Sequence, residues 1–419
     1  MEKLKVVGGN KLEGSLSVQG AKNSVLPILA ASILVEGESL LQNCPDLKDV
    51  AAAIEILRHL GCKVQREGRD IRIDASTMTR SDIPEHLMRE MRSSVIFLGA
   101  ILGRRGEAIL SLPGGCELGP RPINLHVAAL RALGADLEEN EGGNIVCRKG
   151  NPLRGTRINL ESPSVGATEN TMLAAVSADG ETVITNAARE PEIVDLQNFL
   201  VAAGARIQGA GGSTIVISGG KKLHSLTYKI MPDRIVAATY LSAAAFAGGD
   251  LELRDIVPAH IKTVTDALEA AGCQIAIAGN NLRIQSQRKL TAIPPVNTSP
   301  YPGFPTDAQP CLLTAFVLAR GTTVFVENIF QNRYRYVEEL KRMGANIKVE
   351  GKVAMVTGEK RLVGANVSAT DLRGGAALVL AALGAEGESH IGEIAHIDRG
   401  YDNIEETLQG LGADIIRVG

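Results

Sequence analysis

Six glycines at a near-constant interval constrain this chain more than any other feature. Each sits in the pattern apolar, Gly, small, any, apolar. The copies are Leu60-Gly61-Cys62-Lys63-Val64, Leu133-Gly134-Ala135-Asp136-Leu137, Ala203-Gly204-Ala205-Arg206-Ile207, Ala271-Gly272-Cys273-Gln274-Ile275, Met343-Gly344-Ala345-Asn346-Ile347 and Leu411-Gly412-Ala413-Asp414-Ile415. The glycines lie 73, 70, 68, 72 and 68 residues apart. Each follows a helical pattern and precedes an alternating one, the signature of a helix C-terminal cap leading into a strand. A fixed period of this kind means one supersecondary unit repeated along the chain.

A second set of glycines keeps the same period: Gly37, Gly106, Gly180, Gly249, Gly321 and Gly387, each before an apolar strand. An Ala- and Leu-rich helix precedes each, at Ser24–Leu34, Ser93–Leu102, Thr168–Ser177, Ile235–Phe246, Ala308–Leu318 and Gly374–Leu383. These helices are apolar nearly all round, which predicts burial. The helices that end at the first glycine set, such as Val50–Leu60 and Tyr334–Met343, carry charge on one face and belong outside. A leading strand opens most copies, as in Lys11–Val18, Leu153–Leu160 and Leu362–Val367. Each unit therefore reads strand-helix-strand-helix-strand-strand, an α/β unit present six times.

At 419 residues the chain exceeds what one core usually serves, so three units per domain is the natural division. The predicted boundaries are 21–229 for units one to three, and 1–20 plus 230–419 for units four to six. The link near Tyr228–Pro232 is one crossing, and a second near Gly20 lets the first strand pair with the last unit. Three units can surround a bundle of buried helices with sheets outside it. The net charge of −3, 3% aromatic content and absence of Trp argue against a nucleic-acid surface. No signal core opens the chain and no apolar run is long enough for a bilayer, which predicts a cytoplasmic protein without membrane contact. Cysteines 44, 62, 116, 147, 273 and 311 show no metal spacing, and neither a phosphate-binding lysine loop nor a dinucleotide fingerprint is present. No metal and no cofactor are expected.

One stretch breaks the repeat. Ser111 to Pro122, SLPGGCELGPRP, holds three glycines and three prolines, a density that neither helix nor central strand tolerates. Its Cys116, flanked by Gly114, Gly115 and Glu117, has no core around it and reads as a reactive thiol. The other five cysteines read as small buried hydrophobes. His126, just over a helical turn past Arg121, has two readings, a group behind a site or a helix-face histidine.

The buried helices all begin with polar groups: Lys22-Asn23, Arg92, Gly166-Ala167-Thr168, Asp233-Arg234, Thr306-Asp307 and Asp371 to Arg373. Asp233, Asp307 and Asp371 fit ordinary N-caps. Lys22, Arg92 and Arg373 do not, because cations oppose the helix dipole there. Converging helix N-termini with such cations predict a site for phosphate and carboxylate groups. Arg333 and Arg399 lie in loops of the same kind, and Ser164 to Thr168 is a small-residue turn able to donate backbone N–H groups.

These residues together resemble the UDP-N-acetylglucosamine branch of the enolpyruvyl transferases. The resemblance runs the full length and is carried by Gly20-Ala21-Lys22-Asn23, Met91-Arg92-Ser93-Ser94, Leu112 to Pro122, Pro163 to Thr168, Met231 to Arg234, Pro302 to Asp307, Asn332-Arg333, Asp371-Leu372-Arg373 and Asp398-Arg399-Gly400. It implies a two-domain inside-out α/β barrel. The implied reaction moves the enolpyruvyl group of phosphoenolpyruvate to the 3′-hydroxyl of UDP-N-acetylglucosamine, with fosfomycin as an expected inhibitor. It implies Lys22, Arg121 and Arg399 as a phosphate clamp, Arg333 and Arg373 as carboxylate partners, Asp307 as base and Cys116 as general acid on a lid loop 111–122. Asn23 joins the phosphoenolpyruvate site and, with Arg92, Arg121, Pro122, Ile123, Asn124, Leu125, Ser164, Val165, Gly166, Asp307 and Ile329, the UDP-sugar contacts. Two positions depart from the pattern: Ser162 stands where some members carry Lys, and Gln331 where many carry Glu. The rival with shikimate 3-phosphate as acceptor shares the fold and donor but lacks the cysteine loop.

Overall fold

A computed structural model describes residues 2–91, 93–111, 123–139, 144–149 and 152–419. It divides into two compact units, one running from Gly20 to Met231 and the other joining the N-terminal residues through Gln19 to Pro232–Gly419. Each has its own hydrophobic core. Among the described residues no helix is long and apolar enough to cross a membrane.

Among the described residues the repeat takes the form of six four-stranded sheets of one design. In the fifth, Val296–Asn297 runs parallel to Thr322–Val326, which pairs antiparallel with Val353–Thr357, which closes a hairpin with Asn346–Glu350. Strand residues alternate inward and outward: in Thr322–Val326 the inward Thr323 and Phe325 are 1% and 0% exposed, while Thr322, Val324 and Val326 face away. In the second, third, fifth and sixth sheets the leading strand is too far in sequence for a tight turn, and a helical segment makes the parallel crossover.

All twelve repeat glycines have positive φ. The helix-capping set lies between 94° and 108°, and the set associated with the second strand between 80° and 130°. In that region an L side chain collides with its own backbone, so the period in the sequence is a backbone requirement repeated six times. Gly37 falls inside its strand, Val35–Gln42, and Gly249 opens Gly249–Arg254.

The buried helices are Lys22–Ala31, Phe97–Arg105, Val165–Ala175, Arg234–Ala247, Gln309–Ala315 and Leu372–Gly384. Ala376 to Ala382 is wholly buried, as all-round apolar helices must be in water. In the 232–419 unit its three buried helices pack against one another, and in the 20–231 unit Phe97–Arg105 touches both of its counterparts. Lys48–His59 instead buries one face, Val50, Ala53, Ile56 and Leu57, and exposes Glu55 and Arg58.

One strand lies elsewhere than expected. Leu12–Ser17, read as the leading strand of the first unit, pairs in parallel with Gly249–Arg254 and leads the fourth sheet. The first sheet takes Leu223–Lys229 as its parallel strand. The strand before it, Lys3–Val7, lies between Glu388–Gly392 and Asp414–Val418 and completes the sixth sheet. Each unit thus closes its ring of three sheets with a strand from the far end of its own sequence.

Candidate active site

In the 20–231 unit Lys22 is the first residue of its helix, with a side chain only 10% exposed. An unpaired ammonium there would cost several kcal/mol. Asp49, in the first turn of Lys48–His59 and almost wholly buried, takes the charge at 2.8 Å. Asn23 beside it is exposed. Ser24 turns inward and donates its hydroxyl to Asp195, which also accepts from Tyr228 Oη at 2.6 Å and Met231 N at 3.3 Å. Burial raises the Asp195 pKa, outweighing these bonds.

Ile123, Asn124 and Leu125 enter the helix Asn124–Ala132, and Ser164 caps Val165–Ala175 by accepting the Ala167 N–H at 3.3 Å. His126 joins the two groups. A Cβ on Gly166 would lie 3.1 Å from His126 Cε1, so a glycine lets the turn pass the imidazole. Asn170 holds the ring from behind. Its Oδ1 accepts Gly99 N–H at 2.7 Å, so its amide nitrogen must donate, to Val95 O at 2.9 Å and to His126 Nδ1 at 2.7 Å. The ring proton therefore sits on Nε2, which faces Gly166. Burial lowers the His126 pKa to about 4, and the imidazole is neutral at ordinary pH. Of its two sequence readings, the group behind a loop of predicted contacts is the one this geometry favours.

In the 232–419 unit three buried-helix starts meet. Asp233 and Asp371 are caps: Asp233 Oδ1 accepts from Ile235 and Val236 N–H, and Asp371 Oδ1 from Arg373 and Gly374 N–H. Asp307, inside the short turn Thr306–Ala308, instead faces two arginines. Its Oδ1 accepts from Arg333 Nη2 at 2.7 Å and its Oδ2 from Arg373 Nη2 at 3.4 Å. Both guanidinium side chains are buried, at 0% and 4% exposure, while Asp307 keeps 30%. Arg333 Nη1 has no hydrogen-bond acceptor among the described residues, and the carboxylate of Asp371 stands 3.9 Å away. A buried, unsatisfied donor on a cation is a strong pull for an anion.

Tyr401 backs Arg373, with its hydroxyl 3.2 Å from Nη1 and its ring 5.5 Å from the guanidinium carbon, and Thr239 fixes that hydroxyl at 2.9 Å. Burial works against the Arg373 charge, and Tyr401, Asp307 and Asp233 outweigh it, raising the pKa. Arg399 is half-buried at the end of Ile394–Arg399, two residues before Tyr401. Asp398 beside it is held by Arg417 at 2.8 Å. Ile329 is 42% exposed.

The structure thus gathers Asp307, Arg333 and Arg373 in one unit, and Ile123 to Leu125 with Ser164 to Gly166 in the other. Arg92, Cys116, Arg121 and Pro122 lie outside the described residues. The other five cysteines are buried, and burial raises each thiol pKa to between about 11 and about 12. Sequence reading missed Asp49, Asn170 and Tyr401. Asp49 looks like any acid in a first helical turn, and the others carry no local signal.

Residues 6–408 match the family described as EPSP synthase (3-phosphoshikimate 1-carboxyvinyltransferase). The UDP-N-acetylglucosamine 1-carboxyvinyltransferase 2 of Caldanaerobacter subterraneus subsp. tengcongensis is 53% identical over the whole of both chains. The chain belongs to the EPSP synthase family, among its UDP-N-acetylglucosamine 1-carboxyvinyltransferases. Another such member, from Symbiobacterium thermophilum, is 49% identical over all of this chain and 95% of its own. Among solved structures, the enolpyruvyl transferase NikO from Streptomyces tendae superposes with a TM-score of 0.89 at 25% identity, covering 100% of this chain and 99% of its own. EPSP synthase from Acinetobacter baumannii, at 20% identity, shares the fold with a TM-score of 0.76 over the whole of both chains. The six sheets are therefore the enolpyruvyl transferase architecture, and the Asp307 cluster lies in an enzyme of that family.

Proposed function

We propose that this enzyme transfers the enolpyruvyl group of phosphoenolpyruvate to the 3′-hydroxyl of UDP-N-acetylglucosamine with release of phosphate. That step commits precursors to peptidoglycan, and so to cell shape and division, in the cytoplasm. The observation that carries the reading is Asp307 held between two buried guanidiniums, one with a donor to spare. A carboxylate ligand meets Arg333 and Arg373 there and takes bonds that Asp307 otherwise occupies. Relieved of one cation, Asp307 becomes the better base.

The chemistry then needs no redox step. The sugar oxygen bonds to C2 of phosphoenolpyruvate as its proton passes to Asp307, and the Cys116 thiol gives a proton to C3. The tetrahedral adduct collapses as the C2–O bond to phosphate breaks and C3 loses a proton, restoring the double bond. An acid and a base on opposite sides of the addition supply this proton traffic. Lys22, Arg121 and Arg399 hold the phosphate, and the clustered cations offset its charge. Asn23, Arg92, Arg121, Pro122, Ile123 to Leu125, Ser164 to Gly166 and Ile329 hold the UDP-sugar. A lid at 111–122 carries Cys116 in and excludes water. Fosfomycin alkylates that thiol.

The test is phosphate release from phosphoenolpyruvate with either UDP-N-acetylglucosamine or shikimate 3-phosphate as acceptor. Release with the first alone is expected. Release only with the second, or binding of the nucleotide sugar without turnover, sinks the proposal.

A further inference from the structure

Behind Asp307 and Arg333 lies a carboxylate that the proposed reaction does not use. Glu327 directly follows the strand Thr322–Val326 and is 2% exposed. Its Oε1 accepts the backbone N–H groups of Ile329 at 2.8 Å and Phe330 at 3.0 Å. Both of its oxygens also lie 3.0 Å from Thr306 Oγ1. The same hydroxyl lies 3.1 Å from Arg333 Nε. Only one proton arrangement satisfies all three groups. A guanidinium only donates and a carboxylate only accepts, so Thr306 gives its single proton to Glu327 and takes the Arg333 Nε–H on a lone pair. Arg333 Nη2 is then directed at Asp307. The Phe330 ring, tied through its backbone to the same carboxylate, lies 4.7 Å from the guanidinium carbon.

We propose that Glu327 is a positioning residue for the transfer. Through the Thr306 hydroxyl it fixes the plane of the Arg333 guanidinium, and through residues 327–330 it fixes Phe330 beneath that plane and Ile329 beside it. The proposal rests on reading Arg333 as the carboxylate partner of phosphoenolpyruvate. The substitution Glu327→Gln keeps the size of the side chain and changes the hydrogen-bond logic. If the amide oxygen keeps the two backbone N–H groups, its NH2 faces Thr306 and competes for the lone pair that Arg333 needs.

The experiment measures phosphate release with phosphoenolpyruvate varied at saturating UDP-N-acetylglucosamine, together with thermal unfolding of each variant. Glu327→Gln and Thr306→Val are each expected to raise KM for phosphoenolpyruvate about tenfold, with a smaller change in kcat. Thr306→Ser, which restores the hydroxyl, is expected to recover most of that loss. The double variant E327Q/T306V should be within about twofold of the worse single variant, because both act through one hydroxyl. If E327Q fails to fold, the Thr306 pair makes the same test. An E327Q enzyme whose KM stays within about twofold of the parent, while Arg333→Met raises it, overturns the proposal and spares the role of Arg333. An unchanged KM in Arg333→Met overturns the carboxylate reading and the proposal with it.

Discussion

The two units handle buried ionisable groups differently. In the 232–419 unit several charges are matched by opposite ones, Asp307 with Arg333 and Arg373, and Asp398 and Glu405 with Arg417, while the buried Glu327 is held by a hydroxyl and two backbone N–H groups. In the 20–231 unit Lys22 is matched by Asp49, but His126, Glu169 and Asp195 sit among neutral or like-charged neighbours. Burial pushes Glu169 well up, with Glu192 and Glu190 adding to it, and raises Asp195. His126 is pushed the other way by the same desolvation. One backbone plan thus supports two electrostatic regimes: opposite charges paired around Asp307, and around His126, Glu169 and Asp195 a burial that favours neutral forms and makes stability depend on pH.

The sharpest break of that contrast is Asp307→Asn. It removes the proposed base and is expected to lower kcat by about 10² to 10⁴, read as phosphate release. A kcat within a few fold of the parent would reduce Asp307 to a counter-ion. The pH contrast comes next. The unfolded His126 takes a proton near pH 6.5, as an ordinary imidazole does, and the folded one only at about 4. Between those values the unfolded chain binds more protons, so this residue's contribution is complete above pH 6.5. It falls by up to about 3 kcal/mol as the pH drops to 4. Glu169 and Asp195, with raised folded values, act oppositely and lose stability as pH rises. Denaturant unfolding at pH 7 and pH 4 should show a smaller acid loss in His126→Gln than in the parent. Equal losses would remove His126 from the account.

Two smaller effects test what the units share. Gly134 (φ 94°) and Gly344 (φ 96°) stand in different units, and a Cβ would meet nothing within 4 Å at the first and only Arg361 O, at 4.0 Å, at the second. Alanine at either is expected to cost about 1–2 kcal/mol by backbone conformation alone, and equally in both. A large inequality would mean that the repeats do not share a cap. Asp233→Ala should cost about 1 kcal/mol of unfolding free energy, the ordinary value of a helix cap, with activity affected far less than in Asp307→Asn.

The repeat was legible because it is a backbone constraint. Positive φ restricts residue choice locally, so twelve glycines mark twelve chain reversals or strand entries without any knowledge of partners. Strand pairing was legible only in part. Leu12–Ser17 alternates like any leading strand, and nothing local says that its partner lies near Gly249 rather than Gly37. The candidate site divided in the same way. Three helix-start aspartates look alike in sequence, yet two cap their helices and the third meets two arginines. Which one departs depends on Arg333, 26 residues on. Glu327 follows a strand with no motif around it, and only its three converging contacts distinguish it.

In the proposed reaction Arg333 and Arg373 receive the donor's carboxylate while Asp307 serves as base. Calorimetric titration of phosphoenolpyruvate into enzyme saturated with UDP-N-acetylglucosamine separates the two roles, using Arg333→Met and the turnover-impaired Asp307→Asn. The expected result is affinity weakened about tenfold or more in Arg333→Met, with no loss in Asp307→Asn, where a competing negative charge has gone. Unchanged affinity in Arg333→Met, or an equal loss in both variants, would contradict the account.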